Sequence, residues 1–137
     1  MNSKELEKRI QIMLPQDQLE DIVYHSSYQP QDPSLLKRNK EYFYWGHLII
    51  IAAYSLYLYQ HEMKISEGEL SSRIAANHKS FENRIFMKYN LEDFVINSNG
   101  EINQLHPDIA TKLIVLIYQQ YGFIKVYEFL LPFFDNS

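Results

Sequence analysis

Between Glu41 and Glu62 the chain carries no formal charge. The surrounding stretch, Asn39 to Gln60, reads NKEYFYWGHLIIIAAYSLYLYQ. A run of this kind crosses a membrane, forms a buried strand, or forms a helix buried on most of its sides. A membrane helix needs about 20 apolar residues, and this run barely reaches that length. The hydroxyls of Tyr42, Tyr44, Tyr54, Ser55, Tyr57 and Tyr59 and the imidazole of His47 would go unsatisfied in hydrocarbon. The run is also too long for one strand. The remaining reading is the central helix of a small α domain, buried on most of its faces, with no membrane partner.

A chain of 137 residues suits a single domain spanning 1–137, with a core that needs no covalent staples. The absence of cysteine excludes disulfides, thiol catalysis and cysteine metal sites, and fits a reducing compartment. Lysine and arginine number 13 against 17 acids, a net charge of −4. Such a chain has no broad attraction for nucleic acid. Contact with RNA must use a local patch, and DNA is not an expected partner. The N-terminal segment MNSKELEKRI has no apolar signal core, and its acids argue against a transit peptide. A cytoplasmic protein is expected, with an organellar matrix as the alternative.

The rest of the chain reads as helices. Asn2 and Glu5 form a capping pair, followed by Leu6, Ile10, Met13 and Leu14 at helical spacing, with Pro15 as the stop. Asp17 and Glu20 repeat the capping pattern before Leu19, Ile22 and Val23. His25 to Ser34 is a loop by composition, and Leu35 to Lys40 leads into the central helix. Ser66 and Glu69 cap a fourth helix carrying Leu70, Ile74, Ala75 and Ala76. The chain is expected to restart near His78–Ser80, with Phe81, Ile85 and Tyr89 on one face. Leu91 to Ile96 suggests one helical turn, and Asn97 to Gly100 a tight turn. Pro107 suits a first helical position. Ile109, Leu113, Leu116, Ile117 and Tyr121 follow at helical spacing, and Gly122 is placed to end that helix. Phe123 to Leu131 forms another, closed by Pro132. The expectation is an all-α fold of about seven or eight helices, with apolar helices over 42–59 and 108–121 at its centre.

In this order the segments resemble ribonuclease III domains. Leu19-Glu-Asp-Ile-Val-Tyr-His25-Ser-Ser-Tyr28 is similar to that family's opening, LxxALTHRSY. Asn39-Lys-Glu-Tyr-Phe-Tyr-Trp-Gly46-His47 resembles its signature, NERLEFLGD. Glu67-Gly-Glu-Leu-Ser-Ser-Arg73 matches EGELSRLR. His106-Pro-Asp108 through Phe123 resembles the late segment LADxxEALIGAIYLDGGF. Each motif alone is weak; their order and spacing over nearly the whole chain carry the resemblance.

The resemblance implies a fold, a dimer and a chemistry. The family hydrolyses double-stranded RNA, with acidic residues on two helices holding Mg²⁺. At those positions this chain departs from it. Lys40 and Phe43 replace the signature glutamates, His47 replaces the signature aspartate, and Thr111 replaces the late glutamate. Asp108 keeps its carboxylate. The family also packs two copies of the signature helix around a two-fold axis, which implies a homodimer or heterodimer seam at Tyr42, Tyr44, Trp45 and Leu48. The resemblance thus points to a domain that keeps fold and seam without the catalytic centre, and no double-stranded RNA-binding domain is expected after it. Magnesium would be a cofactor only if the domain were an active nuclease with relocated ligands. A third reading is a helical protein–protein interaction domain.

Simpler roles compete at each site. Asp108 suits the dipole of a helix that begins at Pro107. His47 with His106 and Asp108 could form a zinc site, but a histidine on an apolar helix is more often hydrogen-bonded in place, so no metal is expected. Lys37, Arg38 and Lys40 form one basic cluster, and Arg73, Lys79, Arg84 and Lys88 another. Of these, Lys37, Arg38, Lys40 and Arg73 are the candidates for contact with structured or double-stranded RNA. Glu62, Glu67, Glu69 and Glu82 are interspersed as on an ordinary solvated face. The tyrosines at 42, 44, 54, 57 and 59 point around the helix and suit packing better than base stacking.

Overall fold

The computed structural model describes residues 3–15, 17, 33–62, 64–94 and 106–135. In these residues the chain forms α1 (Ser3–Ile10), α2 (Pro33–His61), α3 (Glu67–Lys88), a 3-10 turn (Leu91–Phe94), α4 (His106–Tyr121) and α5 (Phe123–Phe134), with no strand among them. The expected short helix at Asp17–Val23, the loop at His25–Ser34, the cap at Asn2 and the turn at Asn97–Gly100 lie mostly or wholly outside the described residues.

The most enclosed helix is α4. Every residue from Ile109 to Ile117 is buried, including Thr111 and Lys112. It packs against α2, α3 and α5. Burial on most faces, expected of the central run, therefore belongs to α4. The run itself, α2, is buried along one side only. Gly46, Ile50, Ala53, Tyr54 and Leu58 face inward, while Phe43, Tyr44, Trp45, Leu48 and Tyr59 are exposed. No helix among the described residues is long and apolar enough to cross a membrane.

Local chemistry explains the boundaries. Ser66 caps α3, its hydroxyl accepting the Glu69 N–H at 3.1 Å. The expected break at His78–Ser80 does not occur: α3 is one helix of 22 residues. Its interior beyond Gly68 has no glycine or proline, and Ile74, Asn77, Phe81 and Ile85 keep a single inward stripe at helical spacing. Asn77 ties that stripe down by donating to the Tyr54 hydroxyl at 3.2 Å. Helix α1 ends at Ile10 rather than at Pro15, because Gln11 is left-handed (φ 58°) and turns the chain. Ile12 and Leu14 then fold back into the core, with the Leu14 N–H donating to Glu7 at 3.2 Å. Gly122, at φ 89°, ends α4 as expected; a residue with a Cβ would be strained there.

Pro132 does not close α5, which runs on through Phe134. A proline one turn from the end removes one backbone hydrogen bond, and burial of Phe133 and Phe134 offsets that loss. An aromatic cluster of Tyr54, Phe81 and Phe134 joins α2, α3 and α5, with ring centroids 4.8–5.2 Å apart.

Candidate functional site

The first turns of α4 and the Phe43–His47 segment of α2 meet at one contact. A Cβ placed on Gly46 would lie 2.4 Å from the Thr111 carbonyl oxygen and 2.7 Å from its Cα, so only glycine allows this approach. The fold therefore brings the Gly46–His47 turn of α2 beside Thr111. Lys40 lies in α2, and His106 and Asp108 lie in the first turn of α4; their positions are described, their side chains are not.

Among the described side chains, a histidine–carboxylate pair lies beside an aromatic ring and a buried threonine. His47 Nδ1 lies 3.1 Å from Glu82 Oε1, and the Glu82 side chain is 2% exposed. The Phe43 ring stacks on the His47 imidazole at 6.4 Å and 16°. Thr111 is fully buried. A carboxylate out of water needs compensating partners, and His47 supplies one. Glu82 corrects the sequence reading, which placed it on a solvated face. The signal was its position beside Phe81, Ile85 and Phe86, on the inward stripe of α3. Lys112, also buried, carried a similar signal as the lone charge in an apolar run.

The described side chains Phe43, His47 and Thr111 do not by themselves suit a hard divalent cation. Such ions take several oxygen ligands. Phe43 offers none, Thr111 is inaccessible, and His47 is a softer nitrogen ligand already engaged by Glu82. Among the described residues no three His, Asp or Glu side chains converge.

The proposed RNA-binding residues are separated. Lys37, Arg38 and Lys40 lie in the first turns of α2, which has no acidic residue in its first turn. Arg73 is bound to Glu62 and, at 2.9 Å, to Glu69. The candidate seam is exposed: Tyr44 by 59%, Trp45 by 55% and Leu48 by 38%. Tyr44 and Trp45 meet edge to face at 5.5 Å. Beside them runs a groove of about 580 Å³ between α2 and α4, lined by Tyr42, Trp45, Leu48, Val115, Tyr118 and Phe123 among others. Of the tyrosine run, Tyr54 is buried and Tyr57 donates to Asp135 at 3.0 Å, as packing rather than stacking requires.

Solved structures share this fold. The nuclease domain of ribonuclease III from Campylobacter jejuni superposes with a TM-score of 0.82 over 98% of this chain and 97% of that one, at 23% identity. This chain has the fold of the ribonuclease III nuclease domain. A second structure of the Campylobacter jejuni domain gives 0.78 over 97% of this chain and 93% of its own, at 24% identity. No family model matches the sequence. On that fold, the two segments compared above with NERLEFLGD and LADxxEALIGAIYLDGGF lie on α2 and α4, which touch at Gly46 and Thr111.

Proposed function

We propose that this chain is a non-catalytic ribonuclease III-like domain that dimerises through α2 and serves as a structural scaffold. The observation that carries the reading is the group at the signature positions, where Phe43 and a His47–Glu82 pair stand with a buried Thr111. An active nuclease with relocated ligands would need accessible carboxylates there, and the neighbouring Glu82 is buried against His47.

The dimer half of the proposal rests on the aromatic ridge. Tyr44, Trp45 and Leu48 are exposed together on α2, a contiguous apolar patch of the kind that marks an interaction surface, and the groove lies alongside. A two-fold contact places each ridge against the partner's groove, since the same patch serves both copies. One of the Campylobacter jejuni structures concerns a region involved in dimer formation. Sedimentation at micromolar concentration tests this: a dimer is expected for the wild type and a monomer for Trp45→Glu. A wild-type monomer would contradict the homodimer.

RNA contact is the second element, at Lys37, Arg38 and Lys40. The three cations fall within four residues of α2, a local cluster of the kind that phosphate contact needs in a chain of net negative charge. Such binding would be weak, salt-sensitive and indifferent to sequence, and replacing all three with glutamine is expected to weaken it.

A further inference from the structure

A second groove, of about 500 Å³, lies between α3 and α5, lined by Arg84, Met87, Lys88, Pro132 and Phe133. It shares no lining residue with the α2 groove. Its floor and rim are apolar: Met87 is 63% exposed, and Phe133 is buried beneath Lys88. Its charges are positive. The Lys88 ammonium stands 5.4 Å from the Tyr89 ring centroid and 5.1 Å from that of Phe133. The Arg84 guanidinium lies 4.8 Å from the Phe81 centroid, and its Nε is buried without a hydrogen-bond partner. Neither cation has an acidic partner among the described residues. Arg9 borders an adjoining hollow with Lys88, where it is paired with Glu5 at 3.3 Å.

The last turn of α3 favours a cation, and that alone would explain Lys88. It does not explain an unpaired guanidinium donor, which is costly to bury, or an exposed methionine beside it. We propose that this groove docks an acidic segment of a partner protein, a carboxylate meeting Arg84 and Lys88 while a neighbouring apolar side chain packs on Met87 and Pro132. Charge complementarity selects the carboxylate, and the apolar lining selects a polypeptide over RNA. Stacking of bases needs open aromatic faces, and Phe133 is covered.

The test is fluorescence anisotropy with a labelled peptide of alternating glutamate and leucine, added to wild-type protein and to Lys88→Gln, Met87→Ser and Lys64→Gln variants. Positions 88 and 87 are at the surface, and thermal melting verifies that the variants fold. Saturable binding is expected, weakened about tenfold, the loss of one good polar contact, by Lys88→Gln, measurably by Met87→Ser, and not by Lys64→Gln. A short double-stranded RNA should not compete. The proposal is overturned if the peptide does not saturate, if Lys64→Gln weakens it as much as Lys88→Gln, if Met87→Ser has no effect, or if the RNA displaces it.

Discussion

Gly46 and Thr111 are in backbone contact: the Thr111 carbonyl oxygen and Cα occupy the space that a side chain at position 46 would need. Two of the three nearest atoms belong to the main chain, so no rotamer change can make room. Gly46→Ala must push α2 and α4 apart. Overpacking of this kind costs about 1–3 kcal/mol, a fall in Tm of roughly 3–10 °C for a domain of this size. Thr111→Ala in the same molecule is not expected to restore the loss, because it removes none of the backbone. Full recovery in the double variant, read by thermal melting, would mean that the helices cross elsewhere.

The His47–Glu82 pair should be visible as coupling. His47→Ala and Glu82→Gln are each expected to destabilise the fold. Their effects should be non-additive by about 1–2 kcal/mol, as for groups in direct contact. Returning the signature acid with His47→Asp sets two carboxylates together and should cost more than the neutral His47→Asn. Equal costs in urea titration would show that Glu82 is not charged against position 47.

Alkaline pH should unfold the domain through its tyrosines. Burial, then the hydrogen bond to Asp135, raises Tyr57 above the ordinary value of 10.0. Burial alone raises Tyr89, and burial with the Asp135 charge raises Tyr127. A raised folded-state pKa means that the native state holds its proton more tightly than the unfolded chain. The stability this contributes is present in full below pH 10 and is lost as the pH climbs through the folded values. Denaturant midpoints should therefore fall above about pH 10, and less steeply in a Tyr89→Phe variant. A flat profile across that range would contradict the assignment.

Much of this fold was legible in the sequence because helix signals are local. Ser66 with Glu69, Gly122 and the apolar period of 109–117 mark their helices without help from tertiary structure. Boundaries decided by packing were not legible. Ile12 and Leu14 leave α1 to enter the core, and Phe133 and Phe134 carry α5 past Pro132. The spacing of residues 42–59 could not tell which side of α2 would meet α4 and which would stay open. At the candidate site, the approach at Gly46 was readable from glycine in an apolar helix. Glu82 was not recognised, because its partner is 35 residues away and an acid between Lys79 and Arg84 looks like a surface residue.

The proposed scaffold combines a ribonuclease III fold with the absence of ribonuclease III chemistry. Loss of a contact made in the transition state typically costs about 10²–10³ in rate, and on the proposed reading Lys40, Phe43, His47 and Thr111 stand for several such losses at once. The direct measurement is incubation of a long double-stranded RNA with the purified protein and Mg²⁺ or Mn²⁺, beside an Asp108→Ala control. The RNA is expected to remain intact in both. Metal-dependent products that vanish in the Asp108→Ala protein would contradict the account, because Asp108 would then belong to a working metal centre.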